Sequence, residues 1–271
     1  MVVTTMGLIP AFKGDQRDED DQAKKDSFEA GEPLKLSAGE SYYGPGWWAA
    51  KEDDRGKYDR AFFDAESFAP DRPSWGWLEK YWTPLNSTGV AVNALSKHEH
   101  TTLVQGVHLS DIKCSPPLPG TLLQPPGIGS GGEGAVPVDM ALNVEALRPV
   151  ARNLTQDGRP GEPLRKGTAL EQGDQREFVV RFFVEKKSCT FKAQLIVSSE
   201  GKKYLVRLPA TWKRGGLPGS YTFRVTAPTP QKAYGTRYFT SGHTLMQTPP
   251  ESITWDNIGR PTYVDPAQQG G

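Results

Sequence analysis

The chain has 271 residues, a net formal charge of zero and only 36% hydrophobic side chains. Its 29 glycines and 23 prolines, about a fifth of all positions, exclude a helical bundle, whose helices they would break. Balanced charge leaves no net field to draw the whole chain to nucleic acid or an anionic membrane, and two cysteines are too few for a zinc ribbon or a dense disulfide scaffold.

In chain order, residues 1–12 are apolar but about half the length a bilayer crossing needs. They lack the basic flank and cleavage site of a secretory signal. Two readings stay open: a loose start, or the end of a hydrophobic helix. Residues 13–33 are dense in charge, with Asp18, Glu19, Asp20 and Asp21 in a row, and read as a linker with nothing to bury.

From residue 34 to 227 the spacing predicts one β domain. Leu34-Lys-Leu36 alternates as a strand, and a surface loop is expected from Asp53 to Arg72. Trp75, Leu78 and Trp82 fall on one face of a short helix, with Ser74 as its N-cap and Pro84 as its stop. Strands follow at about 88–97 and 101–113. The Pro/Gly/Ser-rich stretch from Ser115 to Pro137 predicts irregular chain. Val138, Met140, Leu142 and Val144 alternate as a half-buried strand, and a polar loop then leads to the strand from Glu177 to Val184. The clearest element is the hairpin in which Cys189, Phe191, Ala193, Leu195 and Val197 share a face, Ser199–Lys202 turns, and Tyr204, Val206 and Leu208 return. Tyr221, Phe223 and Val225 form a last strand. Residues 228–271 read as a fraying Pro/Gly-rich tail.

About seven strands with polar outer faces point to antiparallel pairing, and the simplest way to hide their apolar faces is a two-sheet β-sandwich. Cys114 and Cys189 both sit at strand ends, which suits a bond joining distant pieces of the sheet pair. The rival reading is two free thiols in a reducing compartment.

The order of these features carries a resemblance: an apolar start, a charged linker, Pro33-Leu-Lys-Leu-Ser37, Gly46-Trp-Trp48, the Trp75/Trp77/Trp82 segment, Gly106-Val-His-Leu109 before Cys114, and the hairpin followed by Phe223-Arg-Val-Thr226. From about residue 30 to 226 it resembles extracytoplasmic regions of single-pass membrane proteins of actinomycetes such as Streptomyces, a family without an assigned activity. That family often carries a further cysteine near its first tryptophans, which this chain lacks. The resemblance implies an extracytoplasmic address, a hydrophobic anchor helix before the linker, and no particular chemistry.

Signatures of chemistry are sparse. Gly127-Ile-Gly-Ser-Gly-Gly132 spells a dinucleotide fingerprint but lies between prolines, without the flanking strand and helix that would aim amides at a phosphate. His98, His100 and His108 are the weak metal candidates, set on what reads as a hairpin turn and the strand after it. No nucleophile elbow and no zinc-protease helix occurs, and Asn86-Ser-Thr and Asn153-Leu-Thr read as chance matches to the glycosylation pattern. Trp47, Trp48, Trp75, Trp77 and Trp82 crowd into a short stretch, either packing the end of the domain or presenting an aromatic platform to sugar rings. The expected function is a non-catalytic extracytoplasmic interaction or cell-envelope module that uses no cofactor and meets a protein or an envelope polysaccharide, not nucleic acid. The alternatives are a carbohydrate- or wall-binding module using those tryptophans, and a hydrolase with a dispersed site.

Overall fold

The computed structural model describes residues 31–39, 46–52, 73–125, 139–155, 159–213, 216–230, 232–241, 244–256 and 260–264. The apolar start, nearly all of the charged linker, the 53–72 loop and the Gly127–Gly132 fingerprint lie outside the described residues. The described chain is mainly β, in several antiparallel and mixed sheets without a closed barrel, and has one α-helix.

Its elements begin with β1 (Leu34–Ala38), β2 (Trp48–Ala49), the helix α1 (Pro73–Tyr81), β3 (Thr83–Pro84), β4 (Ser87–Ser96), β5 (Thr102–Ser115) and β6 (Thr121–Gln124). Next come β7 (Met140–Asn143), β8 (Arg152–Leu154), β9 (Pro160–Pro163), β10 (Thr168–Leu170), β11 (Gln175–Phe183), β12 (Ser188–Ser199) and β13 (Lys202–Arg207). The last are β14 (Thr211–Lys213), β15 (Leu217–Ser220), β16 (Phe223–Thr226), β17 (Thr236–Ser241), β18 (Thr244–Gln247), β19 (Ile253–Trp255) and β20 (Pro261–Tyr263).

A six-stranded sheet runs β1-β4-β11-β7-β8-β9, and a five-stranded sheet runs β10-β5-β12-β13 with β16 beside the first half of β12. One hydrophobic cluster draws on both: Val92, Phe178, Val180 and Leu142 from the first, Val107, Leu195 and Val197 from the second. At one end Phe182 packs edge-on against Phe191 at 5.0 Å and tilted against Phe223 at 4.8 Å between ring centres. The β12–β13 hairpin keeps its expected register, with Leu195 opposite Val206, and Glu200 and Gly201 turn the chain through the left-handed region at φ 52° and 72°.

Several expectations are corrected. Pairing is not uniformly antiparallel, since β7 runs parallel to β11 and β6 parallel to β17. The reason is visible in β11 and β7, which bury both faces: Val179 and Ala141 are covered as fully as Val180 and Met140. Double coverage is the environment that parallel strands tolerate. The Ser115–Pro137 stretch contains β6, whose Leu122 and Leu123 are both fully buried. The polar stretch before β11 contributes β8 and β9 to the edge of the six-stranded sheet, where Pro160 and Pro163 cost nothing because no further strand needs their missing N–H.

The chain past Pro228 does not simply fray. It supplies β17 and β18 to a third sheet, β18-β17-β6-β2-β3, followed by a 3-10 turn at Pro250–Ser252 and the β19–β20 hairpin. A second cluster of Trp47, Ala49, Leu85, Leu122, Tyr234 and Ile253 accompanies that sheet. Helix α1 begins at Pro73, a residue suited to the first helical position, so Ser74 lies inside the helix and not at its cap. Among the described residues no helix is long and apolar enough to cross a membrane.

Candidate functional site

Cys114 and Cys189 form a disulfide, with Cα atoms 4.1 Å apart, at directly opposed positions of β5 and β12. The bond therefore staples neighbouring strands of one sheet; it does not cross between sheets as their strand-end positions had implied. Its two ends differ: Cys189 is buried in the main cluster and Cys114 is exposed. A formed bond of this kind fits an oxidising compartment.

The histidines do not converge. His98 is buried in the turn between β4 and β5, with Nδ1 3.1 Å from Ser199 Oγ and Nε2 3.3 Å from the Gly31 carbonyl. A carbonyl only accepts, so Nε2 donates to Gly31, and the Ser199 hydroxyl lies within hydrogen-bonding distance of Nδ1. Tyr204 stands edge-on to the same ring. Although His98 and Ser199 resemble the start of a nucleophilic dyad, Ser199 is only 2% exposed and no substrate carbonyl can reach it. The pair ties the entry of the domain to two hairpin turns. His100 lies 3.7 Å from Glu200 on the surface, and His108 is exposed on β5 opposite Gln194. Among the described residues no group of three or more metal-ligating side chains occurs.

Three of the five crowded tryptophans pack inward. Trp47, Trp48 and Trp82 are 6%, 3% and 1% exposed, so none of the three offers a free ring face. Packing them at the end of the fold hides more apolar area than any other use of those side chains. Trp75 and Trp77 sit on α1, but their side chains lie outside the described residues.

Beside the buried tryptophans is a groove of about 410 Å³, within the range of small-molecule sites. It forms where helix α1 meets three sheets and a hairpin. Helix α1 is seated by Leu78 and Trp82, both fully buried, which leaves Gly76, Glu79 and Lys80 on the groove wall. The opposite wall is the β14–β15 hairpin, closed by the Ala210 N–H donating to Ser220 and supplying Thr211 and Ser220. Pro84 of β3, Thr88 of β4 and Phe223 of β16 form the apolar side, over the Phe182–Phe223 end of the main cluster. These strands are held together by the Leu85–Thr226 bridge and the Asn86 N–H donating to the Thr226 carbonyl.

Arg224 is the charged centre of the groove. Its Nη1 donates to the Lys80 carbonyl at 3.2 Å, capping the last turn of α1, where carbonyls lack helical partners. Burial lowers the pKa of the guanidinium below its usual value, while the nearby Glu79 carboxylate pulls it the other way. Around it, Ser220 Oγ accepts from the Thr222 N–H at 3.1 Å. Among the described residues, the hydroxyls of Thr88, Thr211 and Thr222 have no hydrogen-bond partner. Sequence reading missed this site because it followed the apolar parity of the last strand, Tyr221, Phe223 and Val225. The opposite parity, Thr222 and Arg224, carries the polar groups of the groove, and a lone arginine between two buried positions was the available signal.

Compared with known proteins, the chain matches no family model, no curated protein and no solved structure.

Proposed function

We propose that this protein is a non-catalytic, extracytoplasmic binding module of the cell envelope, built as a sandwich of the six- and five-stranded sheets. The observation that carries the reading is the Cys114–Cys189 bond, one sulfur of which is part of the core, so the oxidised state belongs to the folded domain. The hydrophobic cluster shared by the two sheets supports the sandwich. The order of elements resembling actinomycete extracytoplasmic regions supports the address. Among the described residues, the one histidine–serine contact is sealed from solvent, and the groove offers hydrogen-bonding groups without a nucleophile poised beside a base. The groove beside α1 is the ligand face of the module.

The test has two arms. Intact cells of the native host are treated with a membrane-impermeant amine-reactive label, and purified protein is incubated with an ester panel and with wall polymers. The reading expects labelling before lysis and no turnover. Labelling only after lysis removes the address, and turnover that survives repurification removes the non-catalytic role.

A further inference from the structure

We infer that the groove between α1 and the β14–β15 hairpin binds a neutral, hydroxylated ring, one saccharide unit of a larger glycan. This rests on the reading of the protein as a binding module and names the ligand class for its groove.

The argument is one of matching capacities. A hydrocarbon ligand would strip water from the Thr88, Thr211 and Thr222 hydroxyls and leave them without partners, which opposes binding. A strongly anionic ligand would meet Arg224 and Lys80, but it would also meet the Glu79 carboxylate on the same wall. A neutral sugar ring avoids both penalties, because its equatorial hydroxyls both donate and accept and its C–H face is apolar. Threonine and serine hydroxyls likewise do both, the guanidinium only donates, and the carboxylate only accepts. The groove therefore holds every type of partner a polyol requires. Half-buried Ala210 and the methyl groups of half-buried Thr88 and Thr211 supply the apolar surface against which a C–H face rests. Arg224 is already held in place by the Lys80 carbonyl, so little side-chain entropy remains to be lost on binding. The sugar is thus read by hydroxyls and a fixed guanidinium.

The experiment is calorimetric titration of the intact protein with cellobiose, maltose and chitobiose as neutral probes, and with glucuronate and inorganic phosphate as anionic ones. At least one neutral disaccharide is expected to bind with a Kd of about 1 mM or tighter. Thr222→Val, at an exposed position, weakens that binding roughly three- to tenfold. Arg224→Gln weakens it by about tenfold or more. Melting temperatures report whether each variant is folded, and Thr222→Val keeps the test valid if Arg224→Gln loosens α1. Absence of binding by all three disaccharides overturns the inference. Binding that ignores both substitutions, or binding of the anions alone, overturns it equally. Failed titration of a protein still labelled on intact cells removes the ligand class and leaves the module. Successful titration of a protein labelled only after lysis removes the address and leaves the sugar.

Discussion

Removing the disulfide should cost the domain a large part of its stability. The bonded residues are 75 apart in sequence, and closing a loop of that length removes about 15 cal/mol/K of chain entropy from the unfolded state, about 4.5 kcal/mol at 25 °C. That figure is a ceiling, since a compact unfolded chain has less entropy to lose. For a domain of this size each kcal/mol moves the melting temperature by about 2–4 °C, so a fall of up to about 9–18 °C is expected on reduction. The assay is urea unfolding and thermal melting with and without a phosphine reductant, on the wild type and on Cys114→Ala/Cys189→Ala. The double variant should reproduce the reduced wild type to within the small cost of trimming the buried Cys189 side chain, and it should no longer respond to reductant. An unchanged melting temperature on complete reduction would refute the reasoning.

Three further perturbations probe other parts of the account. Phe182→Ala empties the contact of that ring with Phe191 and Phe223 and should cost about 3–5 kcal/mol, read as a shift of the urea midpoint. A change below about 1 kcal/mol would mean that the two large sheets do not share a core. Gly120→Ala places a Cβ into the backbone of Glu52, so the variant should melt lower and give lower soluble yield, with no rescue by longer refolding. Tyr234 is buried and its phenol is pushed up to about 12, so the folded state keeps it neutral while the unfolded chain ionises near pH 10. Stability is therefore lost as pH rises from 10 to 12, by at most about 2.7 kcal/mol, and Tyr234→Phe should remove that loss in paired pH-dependent unfolding curves. Arg181 acts in the opposite sense: burial lowers its pKa to about 10, so its contribution rises as pH climbs above 10, and only the Tyr234→Phe difference isolates the phenol.

The legible elements were those whose burial alternates. In β12 every odd residue from Cys189 to Ser199 is buried, and the period of two alone located both the strand and its partner β13. The helix was equally readable, because Leu78 and Trp82 repeat at helical spacing and both are buried. Elements covered on both faces were not. Leu122 and Leu123 are adjacent and both fully buried, so β6 carries no alternation and is too short to stand out among its flanking prolines. β14 and β15 were missed for a different reason, being three and four residues long with little buried side chain, and β17 because its partner β6 is more than a hundred residues earlier. A sequence window sees local period; it does not see a strand completed by a distant edge. The cysteines were correctly paired, but the sheet they join could not be assigned, because both inter-sheet and cross-strand bonds put cysteines at strand ends. Of the groove, only the tryptophan-rich wall was visible; the structure turns Trp47, Trp48 and Trp82 inward and lines the groove with Thr88, Thr211, Thr222 and Arg224.

The most direct check is made where the protein is native. Cells are quenched with an alkylating agent before lysis, and the peptides bearing positions 114 and 189 are then identified by mass. An oxidised, envelope-located domain predicts that neither sulfur is alkylated and that the two peptides are recovered joined. Recovery of both as separately alkylated thiols would contradict it.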